Sequence, residues 1–166
     1  MNLALISNYA RLLTITLILI MLAGKTIAQT ALPLPRFVSL KPNEVYMRTG
    51  PGSRYPILWK LVYRHMPVEI IAEFKNWRKI REWEGDLGWV HKSMLKGQRW
   101  AIIQKGKQIL RRRAKRKAPA IALVERKAIG KIEKCSSTWC QITFSGLTGW
   151  MRHNQIWGVY PGENVR

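Results

Sequence analysis

Beyond residue 28, apolar positions recur with a period of two over short stretches of the chain. In residues 68–74, Val68, Ile70, Ala72 and Phe74 alternate with Glu69, Ile71 and Glu73, and in residues 140–144, Cys140, Ile142 and Phe144 alternate with Gln141 and Thr143. This alternation predicts β-strands that bury one face, and no stretch here sustains the 3.6-residue period of a helix. Turn-forming residues separate the predicted strands: Lys75-Asn76, Gly85-Asp86, Ser136–Thr138 and Ser145-Gly146.

The chain contains an internal repeat with a period of about 62 residues. The aligned segments are Asn76–Ile80 with Thr138–Ile142, Gly88–Val90 with Gly149–Met151, and Met47-Arg48 with Leu110-Arg111. The alignment predicts an all-β chain with one domain at 37–100 and a second at 101–160, each of five or six strands. Residues 29–36 form a lead segment and residues 161–166 a tail. Because units this small bury only about 60% of their unfolded surface, we expect tryptophan-rich cores and a shared interface.

The two cysteines occupy facing ends of one predicted hairpin. Cys135 ends one strand and Cys140 begins the next, and directly opposed residues of an antiparallel pair lie close enough for a disulfide. A metal-binding or catalytic role would need further ligands that this spacing does not supply. The equivalent positions of the first copy hold Glu73 and Arg78, for which we predict a cross-strand ion pair.

Residues 1–28 have the composition of a secretory signal peptide. Arg11 precedes the apolar run Leu12–Ala23, and Thr26-Ile27-Ala28 offers small residues for cleavage after Ala28. The apolar run is shorter than the roughly 20 residues that cross a bilayer, so cleavage is favoured over retention as an anchor. The sequence therefore predicts an exported protein of the periplasm or cell envelope, in which the two cysteines can pair.

The charge balance is strongly basic, with 29 Lys and Arg against nine Asp and Glu, a net charge of +20. Such a surface attracts anions of many kinds. Because export separates the protein from the genome, the charge indicates envelope partners and argues against nucleic acid.

The segment Met47-Arg48-Thr49-Gly50-Pro51-Gly52, followed by Pro56-Ile57, resembles the N-terminal signature of bacterial SH3 (SH3b) domains. These domains close with Gly-Trp-Val, which Gly88-Trp89-Val90 matches and Gly149-Trp150-Met151 nearly matches. The resemblance covers both copies and implies two tandem SH3-like β-barrels, as in exported two-repeat proteins without a catalytic domain.

The loop that carries this signature differs between the copies. In the first copy we expect Gly50 and Gly52 to permit positive φ angles and Pro51 to stiffen the loop. The second copy replaces Thr49–Gly52 with Arg112-Arg113-Ala114-Lys115, so we expect a loop of different shape and much higher charge.

Aromatic side chains are the candidate ligand contacts, because SH3-like domains receive extended peptides on aromatic grooves. The predicted ligand-binding residues are Tyr46, Arg48, Tyr55 and Trp89. Trp83, Trp150 and Trp157 could add to this surface, although core packing is the alternative for each aromatic residue. Trp77 and Trp139 lie beside the hairpin turns and are interpreted as structural.

A basic run in the second copy is the other candidate site. It consists of Arg111, Arg112, Arg113, Lys115, Arg116 and Lys117. In an exported protein, such a run indicates binding to anionic lipid headgroups, envelope polyanions or an acidic protein. The alternative is an ordinary solvated loop without a partner.

The sequence offers little support for catalysis, a metal or a cofactor. His65, His91 and His153 lie in no metal-ligand spacing, and Glu82, Glu84 and Asp86 are interpreted as a solvated turn. Two hypotheses remain. The first is a non-catalytic module that recognises a cell-wall peptide, such as that of peptidoglycan, or an envelope protein through the first copy. The second is an electrostatic adaptor held on an anionic surface by the basic run.

Overall fold

A computed structural model describes residues 32–166, in which all extended elements are β-strands and no α-helix occurs. The predicted signal peptide lies outside the described residues. The strands are β1 Arg36–Leu40, β2 Val45–Arg48, β3 Ile57–Leu61, β4 Pro67–Phe74, β5 Trp77–Arg81, β6 Leu87–His91, β7 Leu95–Lys96, β8 Trp100–Ile102, β9 Gln108–Arg111, β10 Ala120–Val124, β11 Ile129–Cys135, β12 Trp139–Phe144 and β13 Leu147–Arg152. Two single-turn 3₁₀ helices, Lys92–Met94 and His153–Gln155, follow β6 and β13.

The strands form two antiparallel sheets, one for each copy of the repeat. The first sheet has the order β3-β2-β6-β5-β4-β1-β7, and the second has the order β10-β9-β13-β12-β11-β8. This architecture confirms the all-β prediction of two tandem SH3-like units. The second sheet has the predicted six strands, whereas the first has seven because the short β7 pairs with β1.

Each sheet encloses its own apolar core. Val68 and Ile70 of β4 are buried as predicted, as are Cys140, Ile142 and Phe144 of β12. The prediction fails at the two ends of the β4 pattern. Phe74 is 48% exposed at the hairpin end, and Glu69 is only 2% exposed although it lies at a predicted polar position.

Both predicted hairpin contacts are present. Cys135 and Cys140 face each other in register and are joined by a disulfide, with a Cα–Cα distance of 4.0 Å. Glu73 and Arg78 face each other in the first copy, and Arg78 Nε lies 2.9 Å from Glu73 Oε1. The same hairpin position therefore carries a covalent link in one copy and an ion pair in the other.

The two hairpin links should differ in their contribution to stability. We expect Cys135→Ala with Cys140→Ala to lower the free energy of unfolding by about 2 kcal/mol, because the unfolded chain loses a short cross-link. Glu73→Ala with Arg78→Ala should cost about 1 kcal/mol or less, as expected of a solvent-accessible ion pair. Urea unfolding of both double variants measures the difference. Equal losses, or no effect of dithiothreitol on the wild-type midpoint, would contradict this expectation.

Aromatic side chains join the two sheets into one unit, Pro33–Arg166, which confirms the expected shared interface. Phe37 of β1 meets Trp157 edge to face, with a centroid distance of 4.8 Å, and His65 stacks on Trp100 at 4.1 Å. Burial and the nearby charges of Lys96 and Arg64 lower the pKa of His65, which favours the neutral ring in this stack.

The buried Glu69 belongs to this interface. The Tyr160 hydroxyl donates to Glu69 Oε1 at 2.8 Å, and Arg81 Nε donates to Glu69 Oε2 at 2.8 Å. Burial, followed by the hydrogen bond to Glu69, raises the pKa of the Tyr160 phenol, so Tyr160 stays protonated as the donor. A residue 91 positions away in sequence therefore accounts for the burial of Glu69.

The segment predicted as a tail also contributes contacts. Arg99 Nη1 donates to Glu163 Oε1 at 2.7 Å, and this hydrogen bond lowers the pKa of the Glu163 carboxyl against the opposing effect of burial. Val165 exchanges two backbone hydrogen bonds with Cys135. These contacts attach the end of the described chain to the second sheet.

Candidate functional site

The signature loop of the first copy connects β2 to β3 and is closed by a small set of hydrogen bonds. Thr49 N donates to Pro56 O at 3.0 Å, and Gly52 N donates to Gly50 O at 2.9 Å. Arg48 Nη1 donates to Tyr55 O at 2.8 Å. Arg48, predicted as a ligand contact, therefore has a definite part in holding the loop closed.

The glycines of this loop make room for the Tyr55 ring. A Cβ atom at Gly50 would lie 2.5–2.7 Å from three ring atoms of Tyr55, and one at Gly52 would lie 3.3 Å from the ring. Neither glycine is among the described residues with positive φ, so the expected conformational reason is wrong. Close approach of the aromatic ring is the physical reason for glycine at both positions.

The second signature loop has the same hydrogen bonds as the first. Arg112 N donates to Pro119 O at 3.0 Å and Lys115 N to Arg113 O at 2.8 Å. Arg111 Nη1 donates to Ala118 O at 2.9 Å, as Arg48 does to Tyr55. The prediction of a different loop shape is therefore wrong. The loop is held by backbone groups and one retained arginine, so its other side chains can differ without a change of shape.

In the first copy the loop and the adjacent hairpin enclose a cleft of about 550 Å³, which we call the first cleft. It is lined by Pro51, Gly52, Ser53, Arg54, Tyr55, Phe74, Lys75, Asn76 and Trp77. The Arg54 guanidinium lies 5.6 Å from the centre of the Tyr55 ring, and Lys75 Nζ lies 5.5 Å from that of Phe74. The first cleft thus combines aromatic walls with cationic edges.

The second copy has a cleft of about 390 Å³ beside Trp139, the residue equivalent to Trp77, and we call it the second cleft. It is lined by Arg111, Arg116, Trp139, Arg152, Asn154 and Gln155. The Arg152 guanidinium lies 5.9 Å from the centre of the Trp139 ring. Gln155 is held in place, since its Oε1 accepts from Arg152 N and its Nε2 donates to Gln108 Oε1, each at 2.8 Å.

Of the four predicted ligand contacts, one lines the first cleft, and Arg48 lies between Tyr55 and Trp89. Tyr55 lines the first cleft, whereas Tyr46, Arg48 and Trp89 are not among its lining residues. Tyr46 is 50% exposed on β2, and Trp89 is half-buried opposite Arg48 on β6. Their role in binding stays a prediction.

The structure instead adds Trp77 and Trp139, which the sequence interpretation treated as structural only. Each lines a cleft beside its hairpin. The sequence feature that could have identified them is that they occupy equivalent positions of the repeat, 62 residues apart. The hairpin turn brings them next to a loop more than 20 residues away in sequence, and this proximity could not be deduced from local patterns.

The remaining candidate aromatics lie elsewhere. Trp83 contacts the second copy, where Arg126 and Lys127 lie 5.3 and 5.4 Å from its ring centre, and Trp157 packs on Phe37. Lys134 Nζ lies 5.7 Å from the centre of the Trp150 ring. The edge strand β3 exposes a further apolar surface at Ile57, Leu58 and Trp59, which the sequence patterns did not predict.

One group of potential metal ligands occurs within residues 32–166: Cys135, Cys140 and His153, with ligand atoms within 4.8 Å of one another. Both sulfurs are joined in the disulfide. Glu82 differs from the predicted solvated turn, because it is buried and its Oε1 accepts from Asp86 N at 3.0 Å. In this same range no helix has the length and apolar character needed to span a membrane.

Seven chains of solved structures match this protein, and two of them illustrate how distant the likeness is. NlpC1 from Trichomonas vaginalis matches with 13% identity and a TM-score of 0.34, covering 78% of this chain and 48% of that chain. NlpC2 from the same organism matches with 13% identity and a TM-score of 0.33, covering 76% and 49%. The chain thus spans about half the length of these two proteins. A sequence search of curated proteins gives no match.

The comparison with protein families gives a direct result. The family model of the bacterial SH3 domain matches this sequence twice, at residues 41–97 and 104–158, once for each sheet. The two matches together span more than half of the chain and include both signature loops. The protein therefore belongs to the bacterial SH3 domain family.

Proposed function

We propose that this protein is a non-catalytic binding module of the bacterial cell envelope, and that its first cleft receives an extended cell-wall peptide. Membership of the bacterial SH3 domain family supports association with the cell wall. The observation that carries the proposal is the seating of Tyr55 between Gly50 and Gly52, which provides an aromatic wall opposite the Trp77 hairpin.

The chemistry of the first cleft suits a peptide with free carboxylates. Aromatic side chains favour an extended, sterically stiff ligand. Arg54 and Lys75 place cations at the edges of the cleft, and the Asn76 amide can both donate and accept hydrogen bonds. Among the described residues that line the cleft, none is a histidine, cysteine, aspartate or glutamate, and this supports binding without turnover.

The test is sedimentation of the purified protein with insoluble peptidoglycan at about 0.05 and 0.3 M NaCl. Wild-type protein should be retained at both salt concentrations. We expect Tyr55→Ala and Trp77→Ala each to weaken retention about tenfold, as for aromatic contacts at the centre of an interface. Trp59→Ala is the matched control, because Trp59 is 54% exposed on β3 and outside the cleft. Equal loss in all three variants, or unchanged retention in the first two, would refute the proposal.

Adhesion to an anionic surface is a second candidate function, favoured by the basic run 111–117. None of its six cations forms an ion pair with a described carboxylate. Attraction of that kind is screened by salt, so the protein would leave both peptidoglycan and anionic vesicles at the higher NaCl concentration.

A further inference from the structure

The two clefts lie beside equivalent tryptophans and signature loops, but their walls have different chemistry. Trp77 corresponds to Trp139, and the loops have matching hydrogen bonds. Among the positions that differ, three change the chemistry beside the tryptophan: Ser53 corresponds to Arg116, Tyr55 to Ala118 and His91 to Arg152. The second copy therefore lacks the tyrosine of the first cleft and has gained two guanidinium groups around the tryptophan.

We propose that the second cleft binds an anionic sugar, a pyranose that carries a carboxylate or a phosphate. This site would be distinct from the peptide site of the first cleft and would hold a different part of an envelope polymer. The proposal goes beyond the proposed function, since it assigns a second ligand class to a second site.

The electrostatic environment favours an anion. The lining of the second cleft contains Arg111, Arg116 and Arg152 and, among the described residues, no carboxylate. Arg116 and Arg152 form no ion pair with a described acidic residue. The carboxylate next to this region, Glu163, interacts with His153 and is already paired with Arg99, so it does not neutralise them. Guanidinium groups form paired, charge-assisted hydrogen bonds with carboxylate or phosphate oxygens.

Arg152 is held in position and still lacks a partner. Its Nε is buried without a hydrogen-bond partner in the described structure, while its guanidinium lies over the Trp139 ring. Because Nε is enclosed, an anionic oxygen in the second cleft would accept from the terminal Nη groups of Arg152. His91, the residue at this position in the first copy, makes an edge contact with Trp77 instead, at 5.5 Å.

The shape of the surroundings favours a sugar over an isolated anion. A neighbouring cleft of about 390 Å³ shares Arg152 and Asn154 with the second cleft and therefore lies next to it. Ser137 and Thr138 place hydroxyl groups in this neighbouring cleft, and Asn154 adds an amide to both. An aromatic ring with a few converging polar groups is typical of sites that enclose small organic ligands, and the C–H face of a pyranose can pack on such a ring.

The concave shape of the second cleft also distinguishes binding of a sugar from binding to a membrane surface. The cations that project from the loop without lining the cleft are Arg112, Arg113, Lys115 and Lys117, and all four are exposed. A lipid surface would engage these exposed side chains first, whereas a sugar would depend on Arg116 and Arg152. Two double variants that remove basic side chains therefore distinguish the ligands.

The test is an NMR titration of the purified protein, monitored at the Trp139 indole N–H. The probes are N-acetylmuramic acid, its uncharged relative N-acetylglucosamine, inorganic phosphate, and vesicles that contain phosphatidylglycerol. Arg116→Ser with Arg152→His installs the side chains of the first copy. Arg113→Ser with Lys117→Ser is the matched control outside the cleft. Arg116→Ser alone serves as a second test, because Arg116 is exposed and its loss leaves the core intact.

We expect N-acetylmuramic acid to shift the Trp139 signal and to bind at least about tenfold more tightly than N-acetylglucosamine or inorganic phosphate. Arg116→Ser with Arg152→His should weaken that binding about tenfold, and the control pair less than twofold. Equal weakening in both pairs, equal binding of the neutral sugar, or preference for vesicles would overturn the proposal. Tyr55→Ala should leave this titration unchanged, so failure here is distinguishable from failure of the peptide proposal.

Discussion

Gly50→Ala is expected to weaken retention on peptidoglycan about tenfold, as much as removal of the Tyr55 side chain itself. The added Cβ would lie within 2.5–2.7 Å of the tyrosine ring, so the ring must leave its place in the first cleft. Overpacking of this kind should also lower the free energy of unfolding by about 1–3 kcal/mol. Peptidoglycan sedimentation and urea unfolding measure the two effects.

A double-mutant cycle isolates the cause. In Gly50→Ala with Tyr55→Ala the clash is absent, so stability should recover while binding stays weak. The second copy already shows this combination, with Arg113 and Ala118 at the equivalent positions in a loop with the same hydrogen bonds. If Gly50→Ala destabilised the protein equally with tyrosine or alanine at position 55, the close-approach explanation would be wrong.

Gly158→Ala should cause the largest loss of stability, about 3 kcal/mol or more. Gly158 has a φ of +124°, and a Cβ there would lie 2.3 Å from Trp100 O and 3.3 Å from Pro67 Cβ. The substitution therefore adds an unfavourable backbone conformation to a clash with the main chain of β8, next to Pro67 of the first copy. Thermal unfolding should show a decrease in Tm of roughly 10 °C for a chain of this size.

Gly97→Ala is the matched control for this prediction. A Cβ at Gly97 would meet no atom within 4 Å, and Gly97 does not have a positive φ. Its Tm should stay within a few degrees of wild type. A small effect of Gly158→Ala would show that the main chain of β8 adjusts readily, which contradicts the close packing around Trp100.

The features that the sequence predicted correctly depend on local spacing. Alternation over residues 140–144 identified the buried face of β12, and the four-residue loop between Cys135 and Cys140 identified the disulfide. The 62-residue period then placed Glu73 and Arg78 at the same hairpin position, where the ion pair is found. The first two inferences needed only residues within one strand pair, and the third needed only the alignment of the two copies.

The features that the sequence missed depend on contacts between distant segments. Glu69 is buried because Tyr160 of the other copy donates to it, and Trp77 lines a cleft because its hairpin lies beside the signature loop. The second loop is a different case. Its composition suggested a new shape, but backbone hydrogen bonds and Arg111 preserve the shape of the first loop.

The most direct test of peptide binding by the first cleft is an NMR titration of the purified protein with soluble peptidoglycan stem peptides. The largest chemical-shift changes should occur at the Trp77 indole N–H and at the amides of Gly52 and Tyr55, with little change at Trp59 or Trp139. Shifts confined to β3 or to the basic run 111–117, or no shift at concentrations that saturate the insoluble polymer, would contradict the assignment of the peptide site to the first cleft.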